Sequence, residues 1–143
     1  MENMQKILEY ISTQMVGVLS YVNASNKPQA ALVGITETEG LKLIFGTDKT
    51  SRKYQSILKN PHVALVIGTD REVSITVQYE GIAKELTGKE LDQARDLHLK
   101  KNPSSKKFAF KESQVFFIVQ PTWVRYSAMA QNPPEMFEIP FDE

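Results

Sequence analysis

Glu72 to Leu86 is the longest strand candidate, and as far as Glu80 it alternates: Val73, Ile75, Val77 and Tyr79 take one face, and Ser74, Thr76, Gln78 and Glu80 take the other. A period of two held this long is the pattern of a β-strand with one buried face. Gly81 interrupts it, as a bulge or a close backbone approach would. Val16 to Val22, Gln29 to Thr36 and Leu41 to Gly46 read as further strands, separated by turns at Ala24 to Lys27 and at Glu39-Gly40. Val63 to Gly68 is an apolar run short enough for a buried strand. Val115 to Val119 and Thr122 to Ser127 read as two last strands around Pro121.

Three segments change period. Met4, Ile7, Leu8 and Ile11 predict an amphipathic helix over Asn3 to Thr13. Tyr54, Ile57 and Leu58 share a helical face between Thr50 and Asn60, and Asn60-Pro61 stops that helix. Thr87 and Glu90 form the Thr-x-x-Glu pattern of a capping box, opening a helix to about Lys100 with Leu91, Ala94 and Leu97 as its inner face. The tail from Gln131 to Glu143 holds three prolines, so it should be extended; Met136, Phe137, Ile139 and Phe141 should lay it on its own domain or on a partner subunit. About six or seven strands with two or three short helices predict a mainly β, closed or partly closed barrel. The 143 residues form one domain, 1–143, with 131–143 as its extended tail.

Composition narrows the chemistry. The chain has no cysteine, which excludes disulfides, thiolate metal sites and cysteine nucleophiles. Acidic and basic residues balance at 17 each, which argues against nucleic acid as partner. The N-terminus, Met1 to Thr13, lacks the basic start and apolar run of a signal peptide, and no apolar stretch reaches the roughly 18 residues of a membrane span. The expectation is a soluble, cytoplasmic protein with no membrane partner. His62 and His98 stand at no metal-ligand spacing, so no metal site is expected; His62 reads as structural and His98 as lying on a helix surface.

The segment that carries chemistry is Phe45-Gly-Thr-Asp-Lys-Thr-Ser-Arg-Lys53, which runs from a strand through a polar loop into a helix. Unpaired N–H groups and the positive dipole end of that helix, with the hydroxyls of Thr50 and Ser51 and the charges of Lys49, Arg52 and Lys53, suit a phosphate dianion. The same residues also read as an ordinary helix cap followed by a solvated basic turn. The Gly-rich spacing of a P-loop is absent.

Leu43-Ile-Phe-Gly-Thr-Asp-Lys-Thr-Ser-Arg-Lys-Tyr-Gln-Ser-Ile-Leu-Lys-Asn-Pro-His-Val-Ala-Leu65 resembles the signature of the pyridoxamine 5'-phosphate oxidase-like, FMN-binding split-barrel family. Tyr79-Glu-Gly-Ile-Ala-Lys-Glu-Leu86 is similar to a second family segment, and the element order agrees from about Glu2 to Tyr126. The resemblance implies an antiparallel, Greek-key split β-barrel that binds flavin mononucleotide (FMN) at the interface of a homodimer. Ser51, Arg52 and Lys53 would hold the phosphate, with Thr47 and Thr50 lining the loop. Ala31, Leu32 and Val33, continuing to Gly34, would run along the flavin ring. Thr76 and Gln78 would face the flavin from the other subunit, and Trp123 and Tyr126 would flank the ring or the substrate opening. Trp123 also reads as a packing residue, and Gln78 as a wet polar position.

The departures bear on substrate. The second strand lacks the basic residues of the pyridoxamine phosphate oxidases, Lys27 being in the turn, and Gln131 to Glu143 lacks their Arg/His-rich segment. A flavin reductase or nitroreductase-like oxidoreductase acting on an unidentified small molecule fits the resemblance better than vitamin B6 oxidation. The alternatives are a non-catalytic flavin- or haem-binding protein on the same fold and, from another class, an oligonucleotide-binding barrel. No residue declares itself catalytic, in keeping with chemistry carried by a cofactor.

Overall fold

A computed structural model describes residues 2–68, 72 and 74–141. Met1, Val73 and the last two residues of the tail, named above, lie outside the described residues. The strands are β1 (Val16–Val22), β2 (Pro28–Gly34), β3 (Thr36–Glu37), β4 (Leu43–Asp48), β5 (His62–Ile67), β6 (Ile75–Glu85), β7 (Gln114–Ala128) and β8 (Glu135–Pro140). The helices are α1 (Glu2–Ser12), α2 (Arg52–Lys59), α3 (Gly88–Lys101) and the single turn α4 (Lys106–Ala109). The antiparallel sheet runs β2-β1-β5-β6-β7-β4-β3, and β8 pairs with β7 beside β4. β2 and β3 are thus opposite edges of one sheet, yet only Ile35 separates them in the chain. The sheet must curl until its edges nearly meet, so the molecule is a split barrel.

The alternation read from the sequence selects the core. Leu19 and Tyr21 of β1, Leu43 and Phe45 of β4, Leu65 and Ile67 of β5, and Val77 and Tyr79 of β6 all point inward and are buried. Phe45 sits opposite Phe117 of β7, the rings stacked at 5.3 Å, a cross-strand pair that fixes register. The Tyr79 hydroxyl donates to the Leu41 carbonyl at 2.7 Å, which satisfies the polar tip inside the barrel. α1 closes the barrel with Ile7 and Ile11. A second, smaller core of Ile44, Leu86, Ala94, Ala109 and Phe116 joins the outside of the sheet to α3 and α4.

Several boundaries differ from the sequence reading. Pro121 does not split the last strand: β7 is continuous, and Pro121 pairs with Gly81 where the β6–β7 register shifts, so its missing N–H falls at an irregularity. A Cβ on Gly81 would lie 2.5 Å from the Gln120 carbonyl oxygen, which is the close approach that demands glycine. β4 starts at Leu43 because Glu39–Leu41 forms a 3₁₀ turn with Gly40 and Leu41 both at positive φ. Thr87 does cap α3, but its side chain makes no cap hydrogen bond, so the capping box is not formed. On α3 the inner face is Ala94 and His98; Leu97, expected inside, is 44% exposed. The tail is extended as β8 and packs Phe137, Ile139 and Phe141 on its own barrel. No helix among the described residues is long and apolar enough to cross a membrane.

Candidate functional site

β4 delivers the polar loop, and Asp48 organises it. Its carboxylate accepts the Thr50 N–H at 2.8 Å, the Thr50 hydroxyl at 2.7 Å and the Ser113 hydroxyl at 2.8 Å. These bonds favour the charged form and hold the Asp48 carboxyl down at about 2, with the Thr50 bonds leading. Thr50 is therefore turned to Asp48, and its hydroxyl is committed there. Ser51 is the N-cap of α2 but makes no side-chain cap bond; its hydroxyl lies 3.0 Å from that of Thr47 instead.

Behind this loop, at the split between the β2 end and β4, lies a cavity of about 280 Å³. Gly34, Thr47, Lys53, His98, Gln114 and Phe116 are among its walls, with Gly46 beside them and Ser105, Phe108 and Ala109 of the α4 region as its roof. Among the described residues no carboxylate lines it. Thr47 is buried, and Lys53 is half-buried with its ammonium pushed below its ordinary range by burial and then by the Arg52 charge. A Cβ at Gly46 would meet the Gln114 side-chain amide at 2.6 Å and the Phe116 ring at 3.0 Å, so a side chain there would make Gln114 swing aside.

His98 is the residue that sequence reasoning misplaced. It is 4% exposed, not on the helix surface. Its Nδ1 lies 2.8 Å from the Thr36 hydroxyl, and its ring packs edge-on against Phe116. Burial, and then the Lys101 charge, push its pKa below the ordinary value. Lys101 in turn is paired with Glu37 at 2.6 Å. The usable signal was the Ala94–His98–Asn102 spacing, which puts all three on one side of α3, where two are polar and all are buried.

The structure brings Thr47, Ser51 and Lys53 together. Arg52 is exposed beside them and does not line the cavity. Ala31, Leu32 and Val33 lie on the edge strand β2, with Leu32 65% exposed and Val33 buried. Thr76 and Gln78 sit on β6, three strands from β2, or about 14 Å away at the usual spacing. Trp123 is eight residues along β7 from Val115, the partner of Thr47, which is about 27 Å of strand. Its indole N–H donates to Glu138 at 2.6 Å and Arg125 covers its ring, so within one chain it packs against β8. Tyr126 points into the core, stacked on Phe137 at 5.0 Å, and flanks no opening. His62 is exposed at the start of β5. Among the described residues no group of three or more acidic, histidine or cysteine side chains is placed to hold a metal.

The family model described as Pyridoxamine 5'-phosphate oxidase matches residues 4–128. Among solved structures, a Listeria innocua protein provisionally described as a pyridoxamine 5'-phosphate oxidase superposes with TM-score 0.68 at 25% identity, covering 85% of this chain and 95% of that one. A haem-binding protein from Mycobacterium smegmatis gives TM-score 0.79 at 18% identity, over 91% of this chain but only 54% of that chain. HutZ, the haem storage protein of Vibrio cholerae, gives TM-score 0.73 at 13% identity, over 82% of this chain and 88% of the other. No curated protein matches the sequence.

Proposed function

This chain belongs to the pyridoxamine 5'-phosphate oxidase-like family, and on that premise we propose that it binds FMN as a homodimer and serves as an FMN-dependent oxidoreductase on a small molecule. The observation that carries the reading is the carboxylate-free cavity with Lys53, Thr47 and the neighbouring Ser51 hydroxyl at the N-terminus of α2. A cationic side chain, hydroxyl donors and a helix N-terminus are the donor set a phosphate monoester takes. At about 280 Å³ the cavity suits the phosphate end of FMN, leaving the ring to the β2 edge outside it. Bound FMN would supply hydride or electron transfer; the protein would bind, orient and shield it.

Dimerisation has its own support. Leu32, Val18 and Val66 are register neighbours across β2, β1 and β5; they form an exposed apolar row that continues into Gln78 of β6. A second copy on this face would cover the row and bring Thr76 and Gln78 to a flavin held by the first. Haem binding is the second reading, favoured by two of the structural neighbours. The visible spectrum of the purified protein separates the two: flavin bands support the proposal, and an intense Soret band replaces it with the second reading. Anaerobic bleaching by NADH or NADPH then supports an enzyme, and a flavin that neither nucleotide reduces supports a carrier.

A further inference from the structure

His98 is buried, is held at one ring nitrogen, and borders the cavity with the other. Nδ1 is taken by Thr36, while Nε2 has no hydrogen-bond partner among the described residues. The Thr36 hydroxyl also lies 3.5 Å from the Asn102 amide nitrogen, which can only donate. The arrangement that satisfies every group has Asn102 donating to Thr36 and Thr36 donating to Nδ1, which places the ring proton on Nε2. Gly34, another wall of the cavity, adjoins that edge of the ring: a Cβ there would stand in ordinary van der Waals contact, 3.6 Å from Cε1 and 3.8 Å from Nε2. Lys53 and Thr47 line the same cavity, so three donors from three elements share a space that no carboxylate among the described residues lines.

We propose that His98 is a ligand-binding, specificity-determining residue whose Nε2–H donates to an oxygen of a phosphate monoester held with Lys53 and Thr47. The inference rests on the phosphate reading above and adds a residue from α3 that the loop signature does not contain. The burial and the Lys101 charge that disfavour imidazolium keep the ring a fixed, uncharged donor, so it selects an acceptor oxygen without adding a cation. A carboxamide or hydroxyl ligand would satisfy Nε2 but leave Lys53 without its counter-charge.

The test uses ¹⁵N spectra of the histidine rings in the full chain, titrated separately with inorganic phosphate, FMN and riboflavin. The expected result is a protonated Nε2 in the free protein that shifts with phosphate and with FMN, while His62 stays still. His98→Leu should weaken FMN about 10-fold or more and leave riboflavin unchanged, and His98→Gln should recover part of the loss. If His98→Leu proves poorly folded, the wild-type titration still decides. A proton on Nδ1, or a ring unmoved by phosphate and FMN, overturns the proposal. FMN that binds with His98 silent removes His98 and keeps the flavin reading. Phosphate that moves His98 while FMN does not bind keeps the anion site and removes the flavin reading.

Discussion

Burial and the neighbouring Arg52 both disfavour the charged form of Lys53, so the cation at the cavity is held against its own solvation. The sign follows. A lysine whose folded pKa lies below 10.5 costs stability while it is protonated, and the cost fades as pH rises through the folded value. Lys53→Met should therefore raise the Tm of the FMN-free protein at neutral pH while weakening FMN by about 10- to 150-fold, with riboflavin unaffected. Arg52→Ala, on an exposed side chain, should cost less. Flavin fluorescence titration and thermal melts of both variants check this, and equal loss for both ligands contradicts it. The residues that follow one another in the loop were legible because strand, hydroxyls, cations and helix stop are contiguous. His98 was not, because a lone histidine among Asp96, Leu97 and Lys100 gives no local sign of Thr36, its partner 62 positions away. Leu97 took the predicted inner place on hydrophobicity alone, although the helix turns that position outward.

At the scale of elements, the β4–α2 loop depends on Asp48, which ties Thr50 to Ser113 ahead of β7. Its folded pKa is depressed, so its contribution is present above the ordinary 3.8 and is lost as pH falls towards about 2. Asp48→Asn should lower the Tm at pH 7 and flatten the acid limb of the stability curve over that window. Thermal melts across pH check both, and an unchanged acid limb contradicts the assignment. The β6–β7 bulge is the other local device. Gly81→Ala drives a Cβ into the backbone at Gln120, so the bulge must shift, and a cost of about 1–3 kcal/mol in denaturant melts is expected. Wild-type stability would mean that the bulge is soft. Most elements were legible since burial on one face forces the period of two. Pro121 misled because its tolerance depends on Gly81 across the sheet, a pairing invisible along the chain. The eighth strand was legible only as an extended apolar tail, since β7 supplies its ladder.

For the whole molecule, the curl that leaves β2 and β3 as facing edges sets the cavity at the split and leaves Leu32, Val18 and Val66 uncovered. Among the described residues the cavity has no arginine in its walls, and β8 carries Glu135 and Glu138 and no basic residue. Pyridoxamine phosphate mixed anaerobically with the flavin-loaded protein should leave the flavin oxidised, and rapid bleaching would contradict that substrate reading. The proposed function joins cofactor and assembly, with FMN held by the Thr47–Lys53 loop in a homodimer. Sedimentation velocity followed at the flavin absorption band tests both at once. The flavin should sediment with a species of twice the 16.2 kDa chain mass, one FMN per chain. Flavin that stays free, or that sediments on a single chain, would contradict the account.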